Sequence, residues 1–255
     1  MNNGLDQKAL ISRAEDTVRL CEKQYSAKCF GFLTPAEAAL IKRMFKASSL
    51  DADINFKFFG GYNQAERCLF LVYPEYARET VDEEFISLVE ITGRDIETLS
   101  HRDFLGSILS LGIKREKIGD IVCLKDKCLV FAMSDIADYI ASNLVKIANC
   151  GVKAQICEIK AAEVPNRRFE EIRTTVASLR LDSIIGAALK ISRAGAAEVI
   201  RAKRVSVNWQ EAYDVSARIA PGDVFSVRGA GRFRLAQEIN ETRKGRLGIC
   251  IEKAV

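Results

Sequence analysis

"LRLDSIIGAALKISRAGAAEVIRAKRVSVNW" spans Leu179 to Trp209 and decides how the second half of the chain is read. Leu181, Ile184, Ile185, Ala188 and Leu189 recur at helical spacing, which predicts a helix with one apolar face. Ser192 is placed to cap a second helix, with Ala196, Val199 and Ile200 turned inward. Arg193 and Arg201 stand about two turns apart on one broad side of it. Lys190, Lys203 and Arg204 extend the charge at the helix ends. "RVSVNW" and "DVFSVRG" then alternate as strands, joined through the turn "APGD" at Ala220 to Asp223. Two short helices on a small sheet, with one basic helix face, suit a folded RNA backbone. Arg and Lys side chains bind its phosphates, and helix N-terminal amides add to this.

Charge supports that direction. The chain of 255 residues carries a net charge of +4, but residues 179–255 hold 14 Lys and Arg against 8 Asp and Glu. The remainder is slightly acidic, so the basic excess is C-terminal, as expected for an end that faces nucleic acid. Composition is otherwise ordinary, at 48% hydrophobic and 28% charged. No apolar run approaches the ~20 residues that cross a bilayer. The N-terminal stretch mixes acids with bases and has no apolar signal core, so we expect a cytoplasmic protein. Eight cysteines include no Cys-x-x-Cys pair, and one histidine cannot complete a Cys/His zinc site. The expectation is reduced thiols, no metal and no cofactor, with Cys123 and Cys128 on neighbouring strands.

Working back along the chain, residues 83–160 read strand, helix, hairpin, helix, strand. "FISLVEIT" is a strand, residues 103–111 a helix started by Asp103, and "DIVCLKDKCLVFAM" a hairpin turning at Lys125 to Lys127. "SDIADYIASNLVKIA" is a helix capped by Ser134, and "VKAQICEI" a closing strand. β-α-β-β-α-β is the order of the split-βαβ sandwich to which RNA-recognition motifs belong. Such motifs stack bases on sheet aromatics. Here Phe85 and Phe131 are the candidates, and the usual basic-Gly-aromatic signature is absent. Arg102, Lys114, Arg115 and Lys117 form a basic cluster better suited to phosphate, as a second RNA contact.

His101-Arg102-Asp103 copies the catalytic-loop triplet of protein kinases, but Ile108 stands where that motif needs a magnesium-binding Asn. No Gly-rich loop precedes it and no Asp-Phe-Gly follows, so the triplet reads as a helix start.

Residues 1–82 read helix, helix, hairpin, with no phosphate loop. Thr34, Pro35 and Glu37 spell a capping box, and Gly60, Gly61 and Asn63 a turn between two strands. Residues 161–178 read as a connector that can add a strand. The expected architecture is therefore α+β in three small domains: 1–82, 83–160 and, after the connector, 179–255.

The C-terminal stretch resembles the S-four RNA-binding domain in Arg180-Leu181-Asp182, Ser192-Arg193, Ile200, Arg204-Val205, Val207-Asn208 and Gly222-Asp223. It departs at two places where that family often has Gly: Lys203, at the end of the second helix, and Trp209, after Asn208. The resemblance demands a different helix ending at Lys203, or a costly left-handed backbone there. "HRDFLGSILSLGIKREKIGDI", with "VRGAGRFRL" near the end, extends the resemblance to the bacterial YlmH family. That resemblance implies a non-catalytic binder of structured RNA, with rRNA and tRNA as partners on the large ribosomal subunit. It also implies a part in rescue of stalled nascent chains, or a link to cell division. The RNA-facing residues it marks are Arg180, Lys190, Ser192, Arg193, Arg201, Lys203 and Arg204, with Arg232 and Arg234 as weaker members. Asp182 braces a neighbouring arginine or caps the helix.

Two other classes compete. Pseudouridine synthases also carry an Arg-Leu-Asp, but theirs usually follows a Gly, whereas Leu179 stands here, and only 73 residues follow Asp182. A methyltransferase needs a Gly-rich loop after a first strand, and Gly60-Gly61 lies in a hairpin. The remaining alternative is an interaction scaffold whose first domain binds a protein partner.

Overall fold

The computed structural model describes residues 3–46, 53–159, 164–165, 169–241 and 245–254. The chain divides into two compact units, Met1–Pro165 and Asn166–Val255.

The first unit opens with α1 (Asn3–Gln24), β1 (Lys28–Leu33), α2 (Pro35–Lys46), β2 (Ile54–Phe59) and β3 (Cys68–Pro74). Thr34 and Glu37 form the expected box at the start of α2: the Thr34 N–H donates to Glu37 Oε2 at 2.7 Å, and the Glu37 N–H to Thr34 Oγ1 at 3.4 Å. The strands pair antiparallel in the order β1-β3-β2. Strand β3 is buried on both faces, which its period of two turns into two separate contacts. Phe70 and Val72 meet Ala14, Val18 and Ile41 of the helices, and Leu69, Leu71 and Tyr73 face the other way.

What they face is a second sheet. Next come α3 (Val81–Phe85), β4 (Ile86–Gly93), α4 (His101–Ser110), β5 (Ile118–Cys123) and β6 (Cys128–Met133). α5 (Ser134–Asn143), β7 (Lys146–Ile147) and β8 (Cys150–Cys157) follow. The strand order β5-β6-β4-β8-β7 is the split-βαβ arrangement with one short strand added, all pairs antiparallel. Val89, Ile91, Val130 and Ala132 pack under Phe104 and Ile108 of α4 and Ala137 and Ile140 of α5. Leu88, Leu129 and Phe131 point to the opposite face and are sealed by Phe32, Leu69 and Leu71 of the first sheet.

That packing overturns one expectation. Phe131 is fully buried, and the Tyr62 ring stacks on it with centroids 4.9 Å apart. Gly61, at φ +97°, lies so close that a β-carbon there would stand 2.2 Å from Phe131 Cδ1. Phe85 ends α3 instead of opening the strand, and is half-buried in the same apolar cluster. The face on which an RNA-recognition motif stacks bases is occupied in this chain by its own N-terminal sheet. Asp120 of β5 fastens the seam, accepting from Tyr62 Oη at 2.8 Å and from the Glu66 and Arg67 N–H groups at 2.7 and 3.0 Å.

The second unit contains β9 (Phe169–Val176), α6 (Leu181–Leu189), α7 (Arg193–Arg201), β10 (Val205–Val207) and β11 (Gln210–Glu211). β12 (Val224–Val227), β13 (Gly231–Glu241) and β14 (Leu247–Ala254) complete it. The sheet order is β11-β10-β12-β13-β14-β9, so the stretch read as a connector supplies an edge strand, paired along β14. Leu181, Ile184, Ile185, Ala188, Ala196 and Ile200 bury one side of both helices against Phe225, Phe233, Leu235, Ile249 and Ile251. The Phe225 and Phe233 rings stack at 5.3 Å. The apolar positions at helical spacing in the opening stretch thus serve the core, which leaves its polar positions to face outward.

Candidate nucleic-acid interface

Asp182 organises the outward face of α6 and α7. It is only 4% exposed, and two arginines converge on it. Arg193 Nε donates to Oδ2 at 2.9 Å, and Arg180 reaches both oxygens at 3.3 Å. Burial pushes the Asp182 carboxyl up, but the hydrogen bonds and charges of Arg180 and Arg193 together hold it below the usual carboxylate range. Both guanidinium groups are fixed at one end while 37% and 58% of their side-chain surface still meets water. Such an arrangement pre-organises cations for phosphate, because less rotamer entropy remains to be lost on contact.

Ser192 caps α7, accepting from the Gly195 N–H at 3.1 Å. Lys190 ends α6 in the left-handed region, at φ +55°, and is exposed. Arg201 closes α7 and is exposed, with no hydrogen bond or ion pair to any described residue. Lys203 takes the left-handed backbone at φ +55°, where glycine is the usual occupant, and its Nζ lies 5.5 Å from the Tyr213 ring centre. Arg204 Nη2 donates to the Arg228 carbonyl at 2.9 Å, which ties the helix exit to the turn after β12.

Arg232 and Arg234 lie apart from this set. Phe233 and Leu235 between and beyond them point into the core under the helices, so the alternation of β13 turns both arginines to the other side of the sheet. There Arg234 Nε bonds Glu252 at 2.7 Å and its guanidinium covers the Phe169 ring. Sequence proximity does not reveal this, since it takes the strand register to separate the faces. Conversely, exposed Arg218 joins the helix side unforeseen: a β-bridge places it against Arg180.

In the first unit the four basic candidates have different fates. Arg102 and Lys114 are exposed. Lys117 pairs with Asp135. Arg115 is half-buried and donates to the Ile118 and Gly119 carbonyls. Burial first, and then the charge of Arg67, brings its pKa down to about 10. Lys114 and Arg115 line a cavity of about 670 Å³ with Arg13 and Arg67, where Glu37 and Glu116 supply opposing charge.

The His101 segment is a helix start, with a corrected cap. Ser100, not Asp103, is the N-cap, and Asp103 completes a capping box by accepting from the Ser100 N–H at 2.8 Å and its hydroxyl at 2.7 Å. These two bonds hold the Asp103 carboxyl below its ordinary range, and His101 is exposed. Likewise Met133 is the N-cap of α5, while the Ser134 hydroxyl accepts from Ser87 at 3.0 Å. Among the described residues no group of three or more His, Cys, Asp or Glu could hold a metal ion, and no helix is long and apolar enough to cross a membrane.

Comparison with known proteins agrees with both units. Residues 81–161 match the family described as "Putative RNA-binding domain in YlmH", and residues 179–225 match the S-four family, described as "S4 domain". The chain is 30% identical over 251 residues to the "Ribosome-associated protein quality control protein P2" of Bacillus subtilis (strain 168). That alignment covers 97% of this chain and 95% of the relative. The solved "Cell division protein ylmH from Streptococcus pneumoniae" shares its fold with a TM-score of 0.50 at 22% identity, over 61% of this chain and 93% of that one. The fold, the two RNA-binding domains in order and the near full-length match agree: the chain belongs to the YlmH family of proteins with a C-terminal S-four RNA-binding domain.

Proposed function

We propose that this protein binds structured RNA without catalysing a reaction, and that its target is rRNA with bound tRNA on the large ribosomal subunit. The observation that carries this reading is the face of α6 and α7. Arg180 and Arg193 are braced by buried Asp182, and Lys190, Arg201, Lys203 and Arg204 stand exposed at the ends of the same two helices. The name of the Bacillus subtilis relative supports the ribosome as the setting and protein quality control as the process, and we place rescue of stalled nascent chains within it. The name of the Streptococcus pneumoniae neighbour supports a tie to cell division as a further role. The carboxylate that a pseudouridine synthase would need free is engaged by two arginines here, which favours binding over catalysis. Lys114 and Arg102 of the first unit are the candidates for a second RNA contact.

The test is co-sedimentation of the purified protein with ribosomal subunits across a salt series, beside the Arg193→Ala/Arg201→Ala double variant. Binding through phosphates weakens with salt at a log–log slope of about −0.7 per contact on single strands and about −0.9 on duplex. The double variant should therefore stay folded, bind less tightly, and lose about 1.4–1.8 from the magnitude of the slope. Salt-insensitive binding, or a folded double variant that binds as before, would remove this surface from the reading.

A further inference from the structure

The hairpin between β10 and β11 turns through two residues, Asn208 and Trp209, both with positive φ (+46° and +63°). This is the backbone of a type I′ turn, whose second position favours glycine because a β-carbon there crowds the chain. Asn208 has a local account. Its N–H donates to the Val224 carbonyl at 2.7 Å and its Nδ2 to Asp223 Oδ1 at 2.8 Å, and its Oδ1 accepts from the Val224 N–H at 3.0 Å. Trp209 has none. It is 36% exposed, lies outside the apolar cluster of the unit, and its indole N–H makes no hydrogen bond to any described residue. A strained backbone that carries an exposed aromatic, on a turn clamped by three hydrogen bonds, implies a gain made outside the folded chain.

We propose that Trp209 is a platform on which an unpaired base of the bound RNA stacks. This rests on the RNA reading above and names the part of the RNA that this site takes. Two neighbours favour a nucleotide. Tyr213, 57% exposed, offers a second ring under Lys203 Nζ. Lys203 and Arg204 immediately precede the three-residue strand that ends at the turn, so two cations stand at the base of the hairpin that carries the indole, on the path of a backbone whose base meets it. The acids nearby are already engaged: Glu211 accepts from the Tyr213 hydroxyl, and Asp223 from Asn208 and the Ala220 N–H. Lys203 and Arg204 offset the charges of these two acids, and aromatic stacking accepts any base without regard to sequence.

The chain contains one tryptophan, so intrinsic emission reports on this position alone. Full-length protein would be titrated with a stem-loop RNA bearing unpaired adenines and with a blunt duplex of the same stem, and anisotropy of labelled RNA would report binding independently. The stem-loop should quench Trp209 emission and the duplex should not. Trp209→Gly relieves the backbone strain, so it should melt no lower than the parent. It should weaken stem-loop binding by about 5- to 100-fold, leave duplex binding unchanged, and be largely rescued by Trp209→Phe. Stem-loop binding by anisotropy without quenching, or with no loss in Trp209→Gly, overturns the stacking proposal alone. An equal loss for both RNAs would make Trp209 a structural residue and also overturns it. If neither RNA binds, the RNA reading falls and takes this inference with it.

Discussion

Replacing Asp182 with Asn tests whether the arginine brace is structural in the way the geometry implies. The amide keeps the shape and one acceptor but removes the charge that two guanidinium groups share. Two limits bracket the cost. Breaking a fully buried ion pair costs about 3–5 kcal/mol, because a charge is left without water, whereas an exposed pair is worth about 0–1 kcal/mol. Here the carboxylate is buried, at 6% side-chain exposure, but its partners are 37% and 58% exposed and can return to water. The expected loss at neutral pH is therefore about 1–2 kcal/mol, or a fall in melting temperature of about 5–10 °C for a unit of this size. Sign follows from linkage. A carboxyl held below its ordinary range stabilises the fold above its unfolded pKa of about 4, and that contribution vanishes as pH falls through the lower folded value. The gap between parent and Asp182→Asn should be full at pH 7 and close towards pH 3. The single tryptophan lies in the second unit, so its emission follows unfolding of that unit in urea at each pH. Equal stability at pH 7, or a gap that persists undiminished at pH 3, would refute the brace.

Two further outcomes follow from the first unit. Gly61→Ala should cost about 3 kcal/mol, from a β-carbon driven against the buried Phe131 ring and a positive φ that alanine resists; near-ultraviolet circular dichroism during urea unfolding would measure it, and a neutral effect would mean the two sheets close less tightly than this contact implies. Among the eight cysteines, Cys123 should be alkylated by iodoacetamide ahead of Cys29 and Cys68. Its thiolate is favoured by a hydrogen bond from Cys128, 3.9 Å away across the hairpin, which lowers its pKa to about 7, while burial pushes the other two up to about 11. Peptide mass spectrometry from about pH 6 to about pH 11 should show Cys123 labelling rise first; simultaneous labelling would contradict the thiol pair.

Local chemistry was legible from the sequence and distant packing was not. Thr34 with Glu37, the turns at Gly60-Gly61 and Lys125–Lys127, and the apolar faces of α6 and α7 are short-range patterns, and each folds as read. The start of α4 shows the limit of such patterns. A lone acid ahead of an apolar run looks like a cap, but in a capping box the acid stands at the third helical position and the hydroxyl before it, at Ser100, begins the helix. Strand β1 was missed because "KCFGFL" is a brief apolar run between two helical patterns, with nothing local to distinguish it. The same limit hid the seal over Phe131, which comes from residues 32, 69 and 71, far off in sequence. At the candidate site, residue type marked the cations, but only strand register shows that Arg232 and Arg234 face away from the helices.

The pairing of β9 with β14 joins the beginning and end of the second unit, with Phe169 opposite Ala254 and Val176 opposite Leu247. This sets an order of events during folding. The β10–β12 ladder is local and can form as soon as it is made, but β9 must wait as an unpaired strand until the last strand of its sheet has left the ribosome. Loop closure over the whole unit then comes late, because its entropy must be met before the ladder rewards it. Until that moment the two nine-residue helices lack Ile249 and Ile251 from the core they pack on, so a nascent chain would acquire its ordered cationic surface only together with its final stability.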